Sequence, residues 1–197
     1  MSSHFEPLPG GGAAVALDEV EISILRSLAV QLLELLGPGD EPAQGEDPLA
    51  ALFAEGPSEP PSDPALARLF PEAYGGPDDD PEDRELLAAS AEFRRFTEND
   101  LRSRKRDDAL AVVRTLDGLT PAGDGGAVLE LGGDDCRHWL GALNDLRLTI
   151  GTRLDVGDED ENSRLYRLPD SDPRKPMVMA YLWLGALQET LVETLLR

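Results

Sequence analysis

Cys136 is the single cysteine of the 197-residue chain and the side chain best suited to covalent chemistry. It follows Gly132-Gly133-Asp134-Asp135 at the predicted start of a helix, where free backbone N–H groups stabilise a thiolate. Arg137 also favours the thiolate, whereas the two aspartates oppose it. A lone thiolate could form sulfenic acid, a mixed disulfide or an intermolecular dimer, which makes Cys136 the redox candidate. The alternative is an inert small residue packed at the helix start.

The second candidate is a basic island between residues 94 and 106. Its two carboxylates, Glu98 and Asp100, face six cations, so that the local charge is +4: Arg94, Arg95, Arg102, Arg104, Lys105 and Arg106. Such a cluster is a candidate interaction site for nucleic-acid phosphate or for an acidic groove of a protein. It could equally be a solvated helix face, because Glu98 with Arg102 and Asp100 with Arg104 have the i, i+4 spacing of intrahelical ion pairs. No nucleic-acid motif accompanies it.

The usual parts of an active site are missing from the sequence. The two histidines, His4 and His138, lie in no nucleophile or metal-ligand motif, and Gly10-Gly11-Gly12 lacks the Lys and Ser/Thr of a phosphate loop. The acidic runs 78–80 and 158–161 lack the alternation and glycine of a calcium loop. A single cysteine excludes a disulfide framework and a thiolate-rich zinc site. The sequence therefore predicts a protein that is not an enzyme, with no metal and no cofactor.

The formal net charge of −21 bears on the choice of partner. It opposes contact of the whole surface with nucleic acid or anionic lipid and favours basic partner surfaces, although it could serve solubility alone. The longest apolar run, Met177 to Leu187, is about half of a membrane span. No basic region precedes an apolar run at the N-terminus, so no signal peptide is predicted. We expect a cytoplasmic protein with a protein partner and no membrane contact.

The sequence predicts a mainly α fold with a small sheet, whose helices and strands would position these residues. A short β-hairpin is expected over residues 4–17, and Asp18 then caps a helix that ends at Gly37-Pro38. Ala127–Leu131 is predicted as a strand, and the order of glycines, strand and helix there repeats that of residues 11–17. We therefore expect a two- to three-stranded antiparallel sheet that pairs these strands, with the helices that follow them on one face.

The middle of the chain differs in composition. Residues 38–81, dense in Pro, Gly, Asp and Glu, are predicted as a mobile acidic insert within a single domain of residues 1–197. Two short docking helices are expected in it, after Asp47-Pro48 and Asp63-Pro64. A long helix should run from about Pro81 to Leu116, with a break near residues 97–100. Its first apolar face is predicted to comprise Leu86, Leu87, Phe93 and Phe96.

The segment 139–154 is predicted as a helix with two stripes. One is a core stripe of five apolar residues: Trp139, Leu143, Leu146, Ile150 and Leu154. The other contains Leu140 with three residues of different character, Asn144, Arg147 and Gly151. A helical glycine costs about 1 kcal/mol relative to alanine, so we expect another helix to approach here and to accept hydrogen bonds from Asn144 and Arg147. A terminal helix, opening at Pro176, is apolar almost all round, which suits the core or a homodimer interface.

The run from Trp139 to Leu154 resembles the hallmark segment of an actinomycete family of oxidative-stress regulators, the AosR-like proteins, long described as a domain of unknown function. The layout of the rest agrees, from the short β start to the final helix with Tyr181-Leu182-Trp183-Leu184. The resemblance implies a regulator that acts on transcription with an RNA polymerase sigma factor, with redox tuning through Cys136 as a hypothesis. A thiol switch within one chain would need a second cysteine. The alternative function is a non-catalytic structural or adaptor protein with no direct role in transcription.

Overall fold

The computed structural model describes residues 3–38, 55–75, 83–120, 125–157 and 167–196. Within them the chain is mainly α, with one three-stranded antiparallel sheet, as predicted. The strands are β1 (Glu6–Pro7), β2 (Ala13–Leu17) and β3 (Ala127–Leu131). The helices are α1 (Glu19–Leu36), α2 (Pro64–Leu69), α3 (Arg84–Asp117), α4 (Gly133–Arg153) and α5 (Lys175–Leu195). The short helix predicted after Asp47-Pro48 and the acidic runs 78–80 and 158–161 lie outside the described residues.

The sheet has the order β1-β2-β3, and both pairings are antiparallel. Ala13 pairs with Leu131 and Leu17 with Ala127, so the two predicted strands are partners along their whole length. Alternate side chains of β2 and β3 are buried, as expected for a sheet with one face on a core. The predicted hairpin and the predicted pairing are both confirmed.

Gly12 brings the turn between β1 and β2 close to the end of β3. Its φ is +94°, in the region that L side chains rarely adopt. A Cβ built on Gly12 would lie 2.2 Å from the carbonyl oxygen of Leu131. The neighbouring Gly11 has a similar φ of +101°, but a Cβ there would meet nothing within 4 Å. Packing as well as conformation therefore requires glycine at position 12, whereas only conformation favours it at position 11.

Helix α1 begins as the sequence predicts. The Asp18 carboxylate accepts a hydrogen bond from the backbone N–H of Glu21 at 2.8 Å, and the Glu21 carboxylate accepts one from the N–H of Asp18 at 2.9 Å. This reciprocal pair is a capping box, which satisfies two N–H groups that have no partner inside the helix. The helix ends at Gly37, where φ is +79°.

Helix α4 lies at the centre of the molecule and packs against α3, α5 and α2. Its predicted core stripe is buried throughout, from Trp139 at 0% exposure to Ile150 at 6%. Phe5 meets the Trp139 ring edge-on with centroids 6.1 Å apart, and the Trp139 indole N–H donates to Thr115. From α5, four apolar side chains fill the other side of this core: Val178, Leu184, Leu187 and Leu191.

Two predictions for α3 are wrong. The helix continues without a break through residues 97–100, because Glu98 accepts ion pairs from both adjacent turns of the same helix, described below. In addition, Leu87, Phe93 and Phe96 are exposed at 50%, 46% and 63%, whereas Ser90, Arg94 and Glu98 are buried. The first half of α3 therefore places polar side chains inside and aromatic side chains outside.

Candidate functional site

The most deeply buried part of the basic island is an ion-pair cluster on Glu98. Its side chain is 2% exposed, and each carboxylate oxygen accepts one guanidinium hydrogen bond at 2.6 Å, from Arg94 and from Arg102. Arg94 is itself 5% exposed; it also donates to the carbonyl oxygen of Phe70 and lies 3.3 Å from the Glu72 carboxylate. The cluster therefore joins the segment after α2 to the buried face of α3.

Two cations of the island close the C-terminal end of α1. Arg102 donates to the carbonyl oxygen of Leu36 at 2.6 Å, and Arg106 donates to the carbonyls of Leu33 and Gly37. The last carbonyls of a helix have no partner within it and carry partial negative charge, so cations stabilise them. Because the last turn of α1 has no basic residue of its own, α3 supplies the cations.

The other cations of the island differ in exposure. Lys105 donates to the buried Asp145 carboxylate on α4 at 2.7 Å, and Arg95 lies 2.8 Å from Glu55. Arg104 is exposed. Five of the six predicted interaction residues thus bind carboxylates or carbonyls of their own chain, which favours a structural role for most of the island. The i, i+4 spacing of Glu98 and Arg102 marks an ion pair, but a buried one.

On the second stripe of α4, Arg147 faces helix α5. Its guanidinium donates to the Gln188 side chain at 2.6 Å and lies 5.4 Å from the centre of the Tyr181 ring. A Cβ on Gly151 would come within 3.3 Å of that ring, which supplies a packing reason for the glycine. Asn144 is exposed, and its side chain hydrogen-bonds the neighbouring Asp145 carboxylate.

The interface of α3 and α4 carries two carboxyls in partly dry surroundings. Asp108 Oδ1 lies 2.7 Å from His138 Nδ1. Burial raises the pKa of Asp108 above its ordinary value of 3.8, against the opposing effect of the His138 hydrogen bond. Burial likewise raises the pKa of Asp145, against the opposing effect of the Lys105 hydrogen bond. His138 thus orients a carboxylate, and within the described residues no group of three or more His, Cys, Asp or Glu side chains is placed to hold a metal ion.

The raised pKa of Asp108 predicts a pH-dependent difference between the wild type and Asp108→Asn. The folded state holds the proton more tightly than the unfolded state, so this contribution to stability is complete below 3.8 and is lost as pH rises through the raised pKa. The free energy of unfolding of the wild type should therefore fall relative to that of the variant over this window. Urea titrations between pH 3.5 and pH 7 measure the difference.

Asp117→Asn provides the matched control because the pKa of Asp117 is lowered by its hydrogen bond with Arg26. A lowered pKa contributes stability that is present above 3.8 and lost as pH falls. The free energy of unfolding of the wild type should therefore rise relative to that of Asp117→Asn as pH rises. This is opposite in sign to the change expected for Asp108→Asn. Equal slopes for the two variants would contradict the assignment.

The redox candidate Cys136 lies at the junction of β3 and α4 with 0% exposure. Its thiol points to the carbonyl oxygen of Leu131, with sulfur and oxygen 3.7 Å apart. Burial raises the pKa of the Cys136 thiol above its ordinary value of 9.0, and the nearby Asp135 acts in the same direction. Burial therefore outweighs the stabilisation expected from the helix start, and the surroundings disfavour the thiolate.

This environment predicts slow modification of Cys136 by a thiol-specific disulfide reagent. We expect the rate in native buffer to be at least about 100-fold below that of the urea-unfolded chain, which corresponds to an opening free energy of about 3 kcal/mol. Absorbance of the released thiolate measures both rates at one pH. A native rate within a few-fold of the unfolded rate would show that the thiol is accessible in solution.

The exposed face of the first half of α3 is a feature that hydropathy alone assigned to the core. Phe93 and Phe96 are one turn apart on it, and Tyr74 packs edge-on against Phe93 with ring centroids 5.9 Å apart. Three exposed carboxylates share this face by helical spacing: Glu85, Glu92 and Asp100. We call these six residues the aromatic–acidic strip. A signal for it exists in the sequence, since Arg94, Glu98 and Arg102 recur at every fourth position with the spacing of intrahelical ion pairs and so occupy the opposite face.

Comparison with known proteins adds to this geometry. The family model described as "Domain of unknown function (DUF2017)" matches residues 2–195. The chain belongs to this family.

Among curated proteins of related sequence, those named "Oxidative stress regulator AosR" from Mycobacterium tuberculosis and Mycobacterium bovis are 31% identical over 182 residues. The matched region covers 89% of this chain and 78% of the relative. A "Putative oxidative stress regulator AosR" from Mycobacterium leprae is 32% identical over 187 residues, with 89% and 79% covered. No solved structure matches the chain.

Membership of the DUF2017 family confirms the resemblance seen in Trp139–Leu154, and the structure places that segment in the central helix α4. The match extends beyond α4 to the hairpin, the long α3 and the terminal α5. Within the described residues of this family member, no helix is both long and apolar enough to cross a membrane.

Proposed function

We propose that this chain regulates the response to oxidative stress in the cytoplasm by binding a protein of the transcription machinery, RNA polymerase or a sigma factor, without catalysis. The observation that carries the proposal is the match to relatives named as oxidative stress regulators over 89% of the chain. Because the match spans nearly the whole length, it does not rest on one short motif.

The electrostatics support a protein partner in preference to DNA. The chain carries a net charge of −21, which repels a phosphate backbone. Five of the six cations of the basic island are already engaged: Glu98, Asp145 and Glu55 bind four of them, and the end of α1 binds a fifth. A basic or apolar protein surface meets no such barrier.

Redox tuning through Cys136 belongs to the proposal as a process that requires opening of the β3–α4 junction. The thiol is buried and its pKa is raised, so oxidation would trap an open form. Cys136→Ser separates this step from partner binding. If the variant binds its partner as the wild type does but no longer responds to peroxide, Cys136 is the sensor; an unchanged peroxide response removes it from the mechanism.

The experiment that tests the proposal uses the purified chain, core RNA polymerase and each sigma factor of the source organism. Biolayer interferometry at physiological salt would measure binding to the polymerase, to the isolated sigma factors and to promoter DNA alone, before and after peroxide. We expect binding to a polymerase or sigma component and none to DNA alone. If no polymerase component is bound in either condition, the result would favour the alternative function, a structural or adaptor protein with no direct role in transcription.

A further inference from the structure

We infer that the aromatic–acidic strip of α3, Tyr74, Phe93 and Phe96 with Glu85, Glu92 and Asp100, docks a basic amphipathic helix of a partner protein. The inference rests on the proposed function only in that both require a protein partner. It names the surface and the chemistry of the segment that would bind there.

The aromatic side chains of the strip are exposed and available for contact with a partner. Phe96 is 63% exposed and Phe93 46%, although the face of the same helix that points inward is occupied by Arg94 and Glu98. Placing charged groups inside and aromatic rings outside is costly for the isolated chain, since the ion pairs must be desolvated and the rings hydrated. Exposed aromatic side chains are the usual energetic centres of protein interfaces. Burial of these rings in a complex would recover the apolar contribution that folding leaves unused.

The length and shape of the strip suit a helix. From Glu85 to Asp100 the strip spans 15 steps of α-helix, which is about 22 Å. An amphipathic partner helix of about four turns would place its apolar stripe along the Phe93–Phe96 ridge. The Tyr74 ring, held edge-on against Phe93, would form one wall of the contact.

The charge of the strip selects a basic partner. Glu92 and Asp100 flank Phe96 at i−4 and i+4, and Glu85 lies two turns before Glu92 on the same face. Three cations of the described part of α3 lie near this face in sequence. Arg84 directly precedes Glu85, and Arg104 follows Asp100 by one turn. Arg95 is paired with Glu55 and lies 5.4 Å from the centre of the Phe96 ring. Lysine or arginine residues beside the partner's apolar stripe would lie against the three carboxylates, which favours a basic segment over an acidic one.

The same charges argue against two other occupants. A second copy of the chain would bring like carboxylates together on a protein that already carries −21. Nucleic acid would place phosphate against the three carboxylates of the strip. Either occupant would have to overcome repulsion that a basic helix converts into attraction.

The test uses the full chain and a fluorescently labelled 18-residue peptide of leucine and lysine, with leucines at i, i+3, i+4 and i+7. Fluorescence anisotropy would measure its Kd at physiological salt. Two control peptides are a scrambled sequence of the same composition and a leucine–glutamate version. We expect binding of the first peptide only, weakened about tenfold by Phe96→Ala.

Matched variants locate the binding on the strip. Val128→Ala removes an apolar side chain of nearly equal exposure, 61%, from β3 and should leave the Kd unchanged. The triple variant Glu85→Gln, Glu92→Gln, Asp100→Asn should weaken binding at least about tenfold. Neutralising three exposed carboxylates elsewhere, Glu34, Glu189 and Glu193, changes the net charge equally and should have a several-fold smaller effect. Circular dichroism of each variant verifies the fold.

Three results would overturn the inference: no binding of the leucine–lysine peptide, equal binding of the scrambled peptide, or equal effects of Phe96→Ala and Val128→Ala. A concentration-dependent dimer in sedimentation velocity that Phe96→Ala abolishes would assign the strip to a second copy instead. These outcomes do not depend on transcription. Failure of the polymerase-binding experiment with success of this one would leave the surface intact and change only its partner.

Discussion

Replacing Glu98 with alanine is expected to lower the free energy of unfolding by about 3–5 kcal/mol. The carboxylate is 2% exposed and accepts hydrogen bonds at 2.6 Å from both Arg94 and Arg102. Removal of the acid leaves Arg94, 5% exposed, with only the Phe70 carbonyl and the more exposed Glu72 as partners. An uncompensated buried charge accounts for most of the expected loss, and chemical denaturation at neutral pH measures it.

Glu92→Ala is the matched control for this prediction. It removes the same side chain from the same helix six residues earlier, but the Glu92 side chain is exposed. Its effect should stay within about 0.5 kcal/mol, as for ordinary surface positions. Glu98→Gln should fall between the two because its one amide oxygen can still accept a hydrogen bond from one of the two arginines, while the negative charge is lost. A loss for Glu98→Ala no larger than that for Glu92→Ala would show that Arg94 is hydrated or otherwise paired in solution.

Gly12→Ala is expected to cost about 2–5 kcal/mol, the second largest effect. The methyl group would be placed 2.2 Å from the Leu131 carbonyl oxygen, which is backbone within a paired strand and cannot rotate away. The positive φ of +94° adds about 1–2 kcal/mol for any L side chain. The rest of the loss arises because the methyl group pushes the hairpin turn away from β3. Overpacking of this kind typically costs about 1–3 kcal/mol. Thermal and urea unfolding report the total.

Gly11→Ala isolates the conformational part of that cost. Its φ is +101°, but its Cβ would face open space, so only the backbone strain of about 1–2 kcal/mol should appear. The difference between the two variants is then the steric cost of the close approach to β3. Equal losses at the two positions would mean that the turn shifts to accommodate the methyl group.

The parts of the fold that follow from local chemistry were predictable. Asp18 with Glu21 and the glycines around residues 10–12 specify a helix start and a turn through groups only a few residues apart. The core stripe on α4 was predictable for the same reason, since burial of Trp139 and Leu143 follows from helical spacing alone. The pairing of β2 with β3 required one further observation, the repeated order of glycines, strand and helix.

The first half of α3 was not predictable from apolar spacing because its buried face is polar. Phe93 and Phe96 have the hydropathy of core residues, and Arg94 and Glu98 have that of surface residues; their positions are reversed. What decides the orientation is tertiary: the Phe70 carbonyl and the end of α1 supply acceptors that only the arginines can reach. The predicted interaction residues Arg94 and Arg102 and the inferred docking strip therefore lie on opposite faces of the same helix.

The position of Cys136 in the first turn of α4 was predicted, but its environment was not. A helix start lowers the pKa of a thiol, whereas burial in apolar surroundings raises it. Here the Leu131 carbonyl and the core enclose it. The burial of the Cys136 thiol depends on how β3 packs against α4, and the residues next to Cys136 in sequence do not indicate this packing.

The arginine contacts at the end of α1 also bear on the order in which the molecule folds. Arg102 lies 66 residues from Leu36 along the chain, and Arg106 lies 69 residues from Gly37. The final carbonyls of α1 thus gain these partners only after a long loop closes, and loop closure has an entropic cost that precedes any gain. We therefore expect the last turn of α1 to fray in any state in which α3 has not docked on it. The end of α1 and the middle of α3 should accordingly gain stability together, although they are far apart in sequence.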